Sequence, residues 1–394
     1  MKLPVYLDNQ ATTRVDDRVL QAMIPYFTEK YGNASSRQHE FGWSAEGAVE
    51  AARARIASLV GASPAEIIFT SGATESINLA IKGIAESLQE KGDHVVTSVT
   101  EHKAVLDTVE KLERHGFRIT RLPVDRYGLV NPDDVVKAIT NKTILVSIMA
   151  ANNEIGTIAP IDAIGRICRA RGVAYHTDAT QAVGKIPVSV HSMNVDLMSF
   201  SAHKMYGPKG VGALFVRAAR PAIRLIPQID GGGHERGLRS GTLNVPGIVG
   251  FGAAAEIAGR ELAEDARQTS RLRDRLVRSL QEKLADVTMN GHPTERLPNN
   301  ASLTFGGADA DRMMMDMKDV AVSTGSACSS ATPGPSHVLQ AIGLKAEEVR
   351  GTLRFGLGRF TTEEEVSHAV NRIIEVAGRM RTKAVQGYST IETL

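Results

Sequence analysis

A lysine and an aspartate are the most informative chemical groups in the sequence. Lys204 follows a short apolar run that breaks into a loop of small residues, Ser201-Ala-His-Lys204-Met-Tyr-Gly. Asp178 ends an earlier run, and Gln181 follows it within one turn. An amine for a Schiff base and a carboxylate for the pyridine nitrogen are the two partners that pyridoxal phosphate needs. The pair therefore indicates a pyridoxal-phosphate site.

Three further motifs contain groups that could bind or react. Ser71-Gly-Ala-Thr74 lies between a predicted strand and a predicted helix, where backbone N–H groups and the helix dipole hold a phosphate. An ordinary capped turn is the alternative. His102 could stack on a flat ring and move a proton, or it could cap a helix. Arg354 could clamp a carboxylate bidentately, or it could form a salt bridge at the edge of a domain.

The two cysteines differ in their surroundings. Cys328 lies in a loop of small residues, whereas Cys168 lies in a predicted helix with apolar neighbours and is expected to be structural. An exposed thiol on a pliant loop can attack a substrate and then hand on its cargo, and a plain solvent thiol is the alternative. Without CxxC or Cys/His spacing, the sequence predicts no disulfide scaffold, no metal site and a reducing compartment.

Composition narrows the class of protein. The 394 residues, 42% of them hydrophobic and 23% charged, can form a large domain and a smaller one. The formal net charge is +2 and no basic run stands out, which disfavours nucleic acid and anionic membranes as partners. We find no signal or transit segment and no apolar run of membrane-spanning length, so the sequence predicts a cytoplasmic protein.

Short apolar runs alternate with amphipathic windows between about residues 60 and 220. This alternation predicts an α/β fold, in which a large domain has a mostly parallel seven-stranded sheet between helices. The predicted strands are 66–70, 94–100, 117–122, 143–149, 174–178, 197–201 and 211–216. Because ligands bind beyond the carboxyl ends of such strands, we expect the polar motifs that follow five of them to converge on one site.

The pattern changes after about residue 250. A charged helix is predicted for 259–285 and short strands for 301–305, 320–323 and 352–355. A final helix is predicted to run to about Thr382, opened by the capping-box spacing of Thr361 with Glu364 and of Thr362 with Glu365. We predict a large ligand-binding domain of residues 15–258. Residues 1–14 and 259–394 are predicted to form a smaller α+β domain that carries the Cys328 loop.

Taken in order, these segments resemble the NifS/IscS-type cysteine desulfurases, which belong to the class V aminotransferase-like group of fold-type I pyridoxal-phosphate enzymes. The resemblance covers about nine-tenths of the chain, from Tyr6-Leu-Asp-Asn-Gln-Ala-Thr-Thr13 to residues 358–365, and includes Asn152-Asn-Glu-Ile-Gly156, residues 231–242 and Ser326-Ala-Cys328. It implies removal of sulfur from L-cysteine. The products would be L-alanine and a Cys328 persulfide, which is passed to acceptors for iron–sulfur cluster or thio-cofactor assembly.

The resemblance also implies a role for each matching residue. Lys204 would bind the cofactor and move the alpha proton, Cys328 would take the sulfur, and His102 would stack on the ring and take the thiol proton. The other residues implied to contact the cofactor are Asp178 at the pyridine nitrogen, Gln181 at the ring hydroxyl, Asn153, and Ala73, Thr74, Ser201 and His203 at the phosphate. Thr242 would come from the second subunit of a homodimer. Asn153 and Arg354 would hold the substrate carboxylate.

Two features of the sequence leave partner and activity open. Family members that serve general iron–sulfur assembly carry a longer tail with an aromatic and basic end, whereas this chain ends Tyr388-Ser-Thr-Ile-Glu-Thr-Leu394, so docking to a scaffold protein is not implied. Ser201 and Lys204 fit the Ser-x-x-Lys pattern of acyl-transfer enzymes, but their other two motifs are missing. The alternatives are a class V aminotransferase or lyase that never uses Cys328, a selenocysteine lyase, and a pyridoxal-bearing subunit that only binds partners.

Overall fold

The computed structural model describes residues 1–218, 222–325 and 334–389, with side chains as far as residue 380. The strands in these ranges are β1 (Val5–Tyr6), β2 (Ile67–Thr70), β3 (His94–Ser98), β4 (Arg118–Leu122), β5 (Thr143–Ser147), β6 (Ala174–Asp178), β7 (Leu197–Ser201), β8 (Gly212–Val216), β9 (Val287–Asn290), β10 (Asn300–Phe305), β11 (Val320–Ala321) and β12 (Thr352–Gly356). The helices are α1 (Asp17–Met23), α2 (Pro25–Thr28), α3 (Glu40–Val60), α4 (Ala73–Leu88), α5 (Lys103–Arg114), α6 (Pro132–Ala138), α7 (Ile161–Arg171), α8 (Val245–Lys283), α9 (Ala310–Asp316), α10 (His337–Ala341), α11 (Ala346–Arg350) and α12 (Glu363–Ser389). Three short 3-10 helices span Pro64–Glu66, Ala202–Lys204 and Glu235–Gly237.

The main sheet has seven strands in the order β2-β8-β7-β6-β5-β3-β4. Every neighbouring pair is parallel except those made by β8, which is antiparallel to both β2 and β7. Helices cover both faces: Val95 packs in a cluster with α4 and α5, whereas Val96 packs in a cluster with α3, α7 and α8. This alternation of neighbouring side chains is typical of a buried strand. The predicted α/β fold with a mostly parallel seven-stranded sheet is confirmed.

A second, smaller layer follows the main sheet in the chain. Strands β12, β10 and β9 form an antiparallel sheet, and β1 pairs with β11 in parallel. Their apolar side chains share one core with the second half of α8 and with α12, and Val5 and Leu7 from the N-terminal segment join it. The capping box at the start of α12 is formed, because Thr362 and Glu365 exchange side-chain-to-backbone hydrogen bonds.

The predicted start of the charged helix at residue 259 is wrong, because α8 begins at Val245. The added part is rich in glycine, which weakens intrinsic helix propensity. Asn244 caps it by accepting from the Gly247 N–H, and a Cβ at Gly252 would lie 2.6 Å from the Ala52 Cα, so α8 packs closely on α3. Close packing of this kind outweighs propensity. The proposed domain boundary between residues 258 and 259 falls inside α8, and the division into two domains stays a prediction.

Candidate active site

A pocket of about 410 Å³ lies where the carboxyl ends of the parallel strands of the main sheet meet the start of α4. Nine of the residues proposed from the sequence line it: Ala73, Thr74, His102, Asn153, Asp178, Gln181, Ser201, His203 and Lys204. Thr242 and Arg354 are not among the lining residues, and Cys328 lies outside the described residues. The expected convergence of strand ends is therefore present in the fold.

Lys204 is a buried lysine at the wall of this pocket. It ends the 3-10 helix that directly follows β7, and 9% of the residue is exposed. Its Nζ donates to the backbone carbonyls of Gln10, at 2.5 Å, and Ala11, at 2.7 Å. The segment before α1 thus fixes the amine at the pocket through neutral carbonyl oxygens.

Asp178 and Gln181 form a second polar group beside the lysine. Asp178 is the last residue of β6, is 5% exposed, and its Oδ1 accepts from the Thr180 N–H at 2.9 Å. Gln181 donates from Nε2 to the same Gln10 carbonyl, at 3.0 Å, and accepts at Oε1 from Lys185 Nζ, at 2.7 Å. A buried carboxylate and an oriented amide therefore lie within one turn of each other.

His102 both lines the pocket and caps a helix. Its Nδ1 accepts from the Ala104 N–H at 3.1 Å at the start of α5. Because Nδ1 accepts, the neutral ring carries its proton on Nε2. The capping role considered from the sequence and the position at the pocket are thus compatible.

The part of the pocket at the start of α4 is suited to an anion. Ala73 and Thr74 open α4, and the first N–H groups of a helix have no partner within it. A Cβ on Gly212 would lie 2.6 Å from the Gly72 Cα, so β8 can approach this turn only through glycine. His203 is 3.1 Å from the Thr12 hydroxyl, and burial, reinforced by Lys204, Lys209 and Lys185, lowers its pKa to about 4. His203 is therefore neutral near pH 7.

Two buried carboxyl groups lie behind the lining residues. Glu154 accepts from the Ser336 hydroxyl at 2.5 Å, and burial raises its pKa to about 7, against the opposing effects of Ser336, Arg354 and His102. Glu101 accepts from the Met149 N–H at 2.7 Å, and burial, with a smaller effect of Asp178, raises its pKa well above the usual value. Neither residue was proposed from the sequence, although each directly adjoins a predicted site residue.

Arg354 is fully buried and already paired on two of its nitrogens. Nη2 donates to Asp8 Oδ1 at 2.9 Å and Nη1 to the Asn153 carbonyl at 3.0 Å. Its Nε has no hydrogen-bond partner in the described part of the chain. The salt bridge considered from the sequence is therefore present, and the Nε–H is a buried donor without a partner among the described residues.

The glycine-rich segment 231–242 is anchored to the main sheet, and Thr242 is exposed at its end. Glu235 accepts from both terminal nitrogens of Arg53 at 2.8 Å and from the Phe69 N–H in β2 at 2.7 Å. Both Arg53 and Glu235 are almost completely buried. Glu235 thus ties this largely exposed segment to α3 and β2.

The buried cysteine and three polar residues at or beside the pocket complete the comparison with the sequence. Cys168 is completely buried, as predicted, and burial raises the pKa of its thiol to about 12. Gln10, Thr12 and Lys185 were not proposed, although Gln10 and Thr12 lie in a motif that carries the resemblance and Lys185 follows Gln181 by one helical turn. Within the described ranges, no helix is long and apolar enough to cross a membrane.

The fold and its motifs agree with known proteins over almost the whole chain. The family model "Aminotransferase class-V" matches residues 5–368. The chain is 57% identical to the cysteine desulfurase IscS of Anaeromyxobacter sp. (strain Fw109-5), over 97% of this chain and 94% of that protein. It is 51% identical to the cysteine desulfurase IscS of Rickettsia rickettsii (strain Iowa), over 97% and 93%.

Solved structures give the same result. A NifS-like protein superposes with a TM-score of 0.89 at 42% identity, covering 95% of this chain and 100% of that chain. A structure of SspA in complex with cysteine superposes with a TM-score of 0.80 at 38% identity, covering 91% of this chain and 99% of that chain. The chain therefore belongs to the class V aminotransferase family and, within it, to the cysteine desulfurases of the NifS and IscS type.

Proposed function

We propose that this protein uses pyridoxal 5′-phosphate to move one sulfur atom from L-cysteine to the thiol of Cys328, with release of L-alanine. The observation that carries the proposal is one pocket that contains a buried amine, a buried carboxylate and a helix N-terminus, from Lys204, Asp178 and Ala73. The relatives named as cysteine desulfurases, and the SspA structure that contains cysteine, support this substrate and product.

The donor set fits the cofactor group by group. Lys204 offers an amine to the aldehyde, Asp178 a carboxylate to the pyridine nitrogen, and Gln181 an amide donor to the ring hydroxyl. At the phosphate end, the groups are the N–H groups of Ala73 and Thr74 with the side chains of Ser201 and His203. The volume of about 410 Å³ suits a small cofactor and an amino acid. Bound there, pyridoxal 5′-phosphate supplies an electron sink for the bonds at the substrate Cα.

Proton movements are assigned to the two basic groups at the pocket. Lys204 Nζ, held by two carbonyls, is the group that takes and returns the Cα proton. His102, with Nδ1 occupied by the Ala104 N–H, lines the pocket and would take the substrate thiol proton on loading of the cofactor. Asn153 and Arg354 hold the substrate carboxylate, and the Nε–H of Arg354 is the donor without a partner among the described residues.

In the sulfur step the C–S bond of cysteine and the S–H bond of Cys328 break, while an S–S bond and a C–H bond at the alanine methyl form, so the β-carbon is reduced as sulfur is oxidised. L-cysteine and the Cys328 thiol give L-alanine and the Cys328 persulfide, so no external oxidant is needed. We propose that the persulfide is then passed in the cytoplasm to a sulfur-acceptor protein, such as an iron–sulfur scaffold. Cys328 would belong to the smaller domain of residues 1–14 and 259–394, and the cofactor-binding domain would comprise residues 15–258.

We also propose that the protein acts as a homodimer. Thr242 does not line the pocket of its own chain and is exposed at the end of a segment that the Arg53–Glu235 pair holds firmly. Several large apolar side chains between the start of α1 and the first turns of α3 are exposed, including Phe27, Tyr31 and Trp43. These features support a contact in which Thr242 reaches the phosphate of the partner subunit.

The experiment is incubation of the purified protein, loaded with pyridoxal 5′-phosphate, with L-cysteine. We expect alanine to form at the same rate as the peptide that contains Cys328 gains the mass of one sulfur atom. The Cys328→Ser variant should bind the cofactor normally and gain no sulfur. Alanine formation that survives in Cys328→Ser would instead indicate a lyase, and amino transfer to a keto acid would indicate an aminotransferase.

A further inference from the structure

Lys185 is a buried amine that the proposed chemistry does not use. Only 7% of the residue is exposed, and no salt bridge pairs it with a carboxylate in the described part of the chain. Burial, followed by the charges of Lys204 and Arg354, lowers the pKa of Lys185 well below its usual value of 10.5. Because an unpaired buried amine disfavours folding, its presence beside the pocket suggests a functional role.

The single side-chain hydrogen bond of Lys185 among the described residues goes to Gln181. Its Nζ donates to Gln181 Oε1 at 2.7 Å, while Gln181 Nε2 donates to the Gln10 carbonyl at 3.0 Å. The Gln10 carbonyl oxygen can only accept, so the amide end that faces it must be the nitrogen. Oε1 then faces Lys185 Nζ, which can donate to it whether the amine is charged or neutral. Nε2 carries two hydrogens, and the Gln10 carbonyl takes one of them.

The second Nε2 hydrogen is then left for a ligand in the pocket that Gln181 lines. The same Gln10 carbonyl also accepts from Lys204 Nζ at 2.5 Å, which joins Lys185, Gln181 and Lys204 in one buried network. Removal of Lys185 would leave Oε1 without its donor and the amide held from one side only. Buried networks that lose one member position the others less firmly.

We propose that Lys185 is a positioning residue, which holds the Gln181 amide with its Nε2 donor directed to the ring hydroxyl oxygen of the cofactor. This inference rests on the proposed function, because it assigns a partner to the cofactor's hydroxyl group. It assigns Lys185 no contact with the cofactor and no part in the reacting atoms. The role is therefore visible in ligand binding before any turnover.

The test compares two ligands on the apo protein: pyridoxal 5′-phosphate, and 3-deoxypyridoxal 5′-phosphate, which lacks the ring hydroxyl. We expect Lys185→Met to weaken binding of pyridoxal 5′-phosphate by about tenfold, which corresponds to the loss of one hydrogen bond. Binding of the 3-deoxy analogue should be unchanged. We expect the double variant Lys185→Met with Gln181→Ala to bind no more weakly than Gln181→Ala alone. The matched control is Lys209→Met, which removes an exposed lysine of the same pocket and should affect both phosphate ligands alike.

The stability of the variants separates positioning from a structural role. Methionine removes the buried amine at similar volume but leaves Gln181 Oε1 without its donor, and because these two effects oppose each other the midpoint of thermal unfolding of apo Lys185→Met should stay close to that of the wild type. A lower midpoint together with equal loss of both ligands would overturn the proposal, and so would additive losses in the double variant. Lys185→Gln, which is also uncharged, allows the same comparison if methionine is not accommodated. A wild type that binds neither ligand would refute the proposed function itself, whereas wild-type discrimination in Lys185→Met would refute the positioning role alone.

Discussion

Replacement of Glu235 by glutamine should destabilise the fold strongly, although the two side chains have the same shape. The Glu235 carboxylate is 1% exposed and accepts three hydrogen bonds, two from Arg53 and one from the Phe69 N–H. Glutamine keeps an acceptor for Phe69 but turns an amide donor toward the guanidinium. Arg53, 4% exposed, would keep only the partly exposed Glu50 as a counter-ion. Removing one partner of a buried pair costs about 3–5 kcal/mol, so we expect a loss in that range.

The assay is urea unfolding at a fixed protein concentration, followed by the fluorescence of Trp43. Trp43 is the single tryptophan of the sequence and lies in α3, the helix that also contains Arg53. The double variant Arg53→Met with Glu235→Gln leaves no unpaired buried charge, because the remaining Glu50 carboxylate is largely exposed, and it should recover much of the loss. The matched control is Glu256→Ala, which breaks the exposed ion pair between Glu256 in α8 and Arg55 in α3, the helix that also contains Arg53. This variant should lower the free energy of unfolding by less than about 1 kcal/mol. Equal losses in Glu235→Gln and Glu256→Ala, or strictly additive losses in the double variant, would refute the reasoning.

The remaining predictions concern pH, the phosphate end of the pocket and the buried thiol. Between pH 4.5 and about 7 the folded chain keeps a proton on Glu154 that the unfolded chain releases, so this group makes the free energy of unfolding fall as pH rises, by up to about 1.4 kcal/mol per pH unit. In Glu154→Gln the decrease between pH 5 and 7 should be smaller than in the wild type, and an unchanged slope in urea unfolding would contradict the assignment. Gly212→Ala should weaken cofactor binding at least tenfold, because the added Cβ would force β8 away from Gly72. The control Gly47→Ala should not weaken it, because an added Cβ there meets nothing within 4 Å. Equal cofactor affinities of the two variants in a fluorescence titration would contradict this prediction. Cys168 should resist iodoacetamide in the native protein and react in urea, as peptide mass spectrometry would show, and native labelling would contradict its burial.

The sheet was predictable because its buried strands are continuous apolar runs between amphipathic helices. Strands β6 and β7 match the predicted bounds, whereas β3 and β5 end two residues before the predicted ends, at Ser98 and Ser147. The extra residues belong to the turns that lead to the pocket, where Ser98 accepts from the Thr100 N–H and Met149 donates to Glu101. Local apolarity does not distinguish such turns from strand.

The early part of α8 and the inner polar groups were not predictable in the same way. A stretch rich in glycine gives a weak local helix signal, and only its contact with α3 shows why it is helical. Gln10 and Glu154 reach the site through contacts between distant parts of the chain: Gln10 and Lys204 are joined across 194 positions, and Glu154 and Ser336 across 182. Lys185 lies only four residues after Gln181, but its burial depends on the tertiary fold. Residue type and local spacing identify a lysine or a histidine at a strand end, but they do not report which backbone carbonyl will lie beside it.

The central claim is that Lys204 is the lysine that binds the cofactor, and covalent labelling tests it directly. The protein is incubated with pyridoxal 5′-phosphate, reduced with borohydride, digested and analysed by mass spectrometry. The account predicts one pyridoxyl-phosphate mass per chain, on the peptide that contains Lys204, with Lys185 and Lys209 unmodified. A label on Lys185, on Lys209 or spread over surface lysines, with Lys204 unmodified, would contradict it.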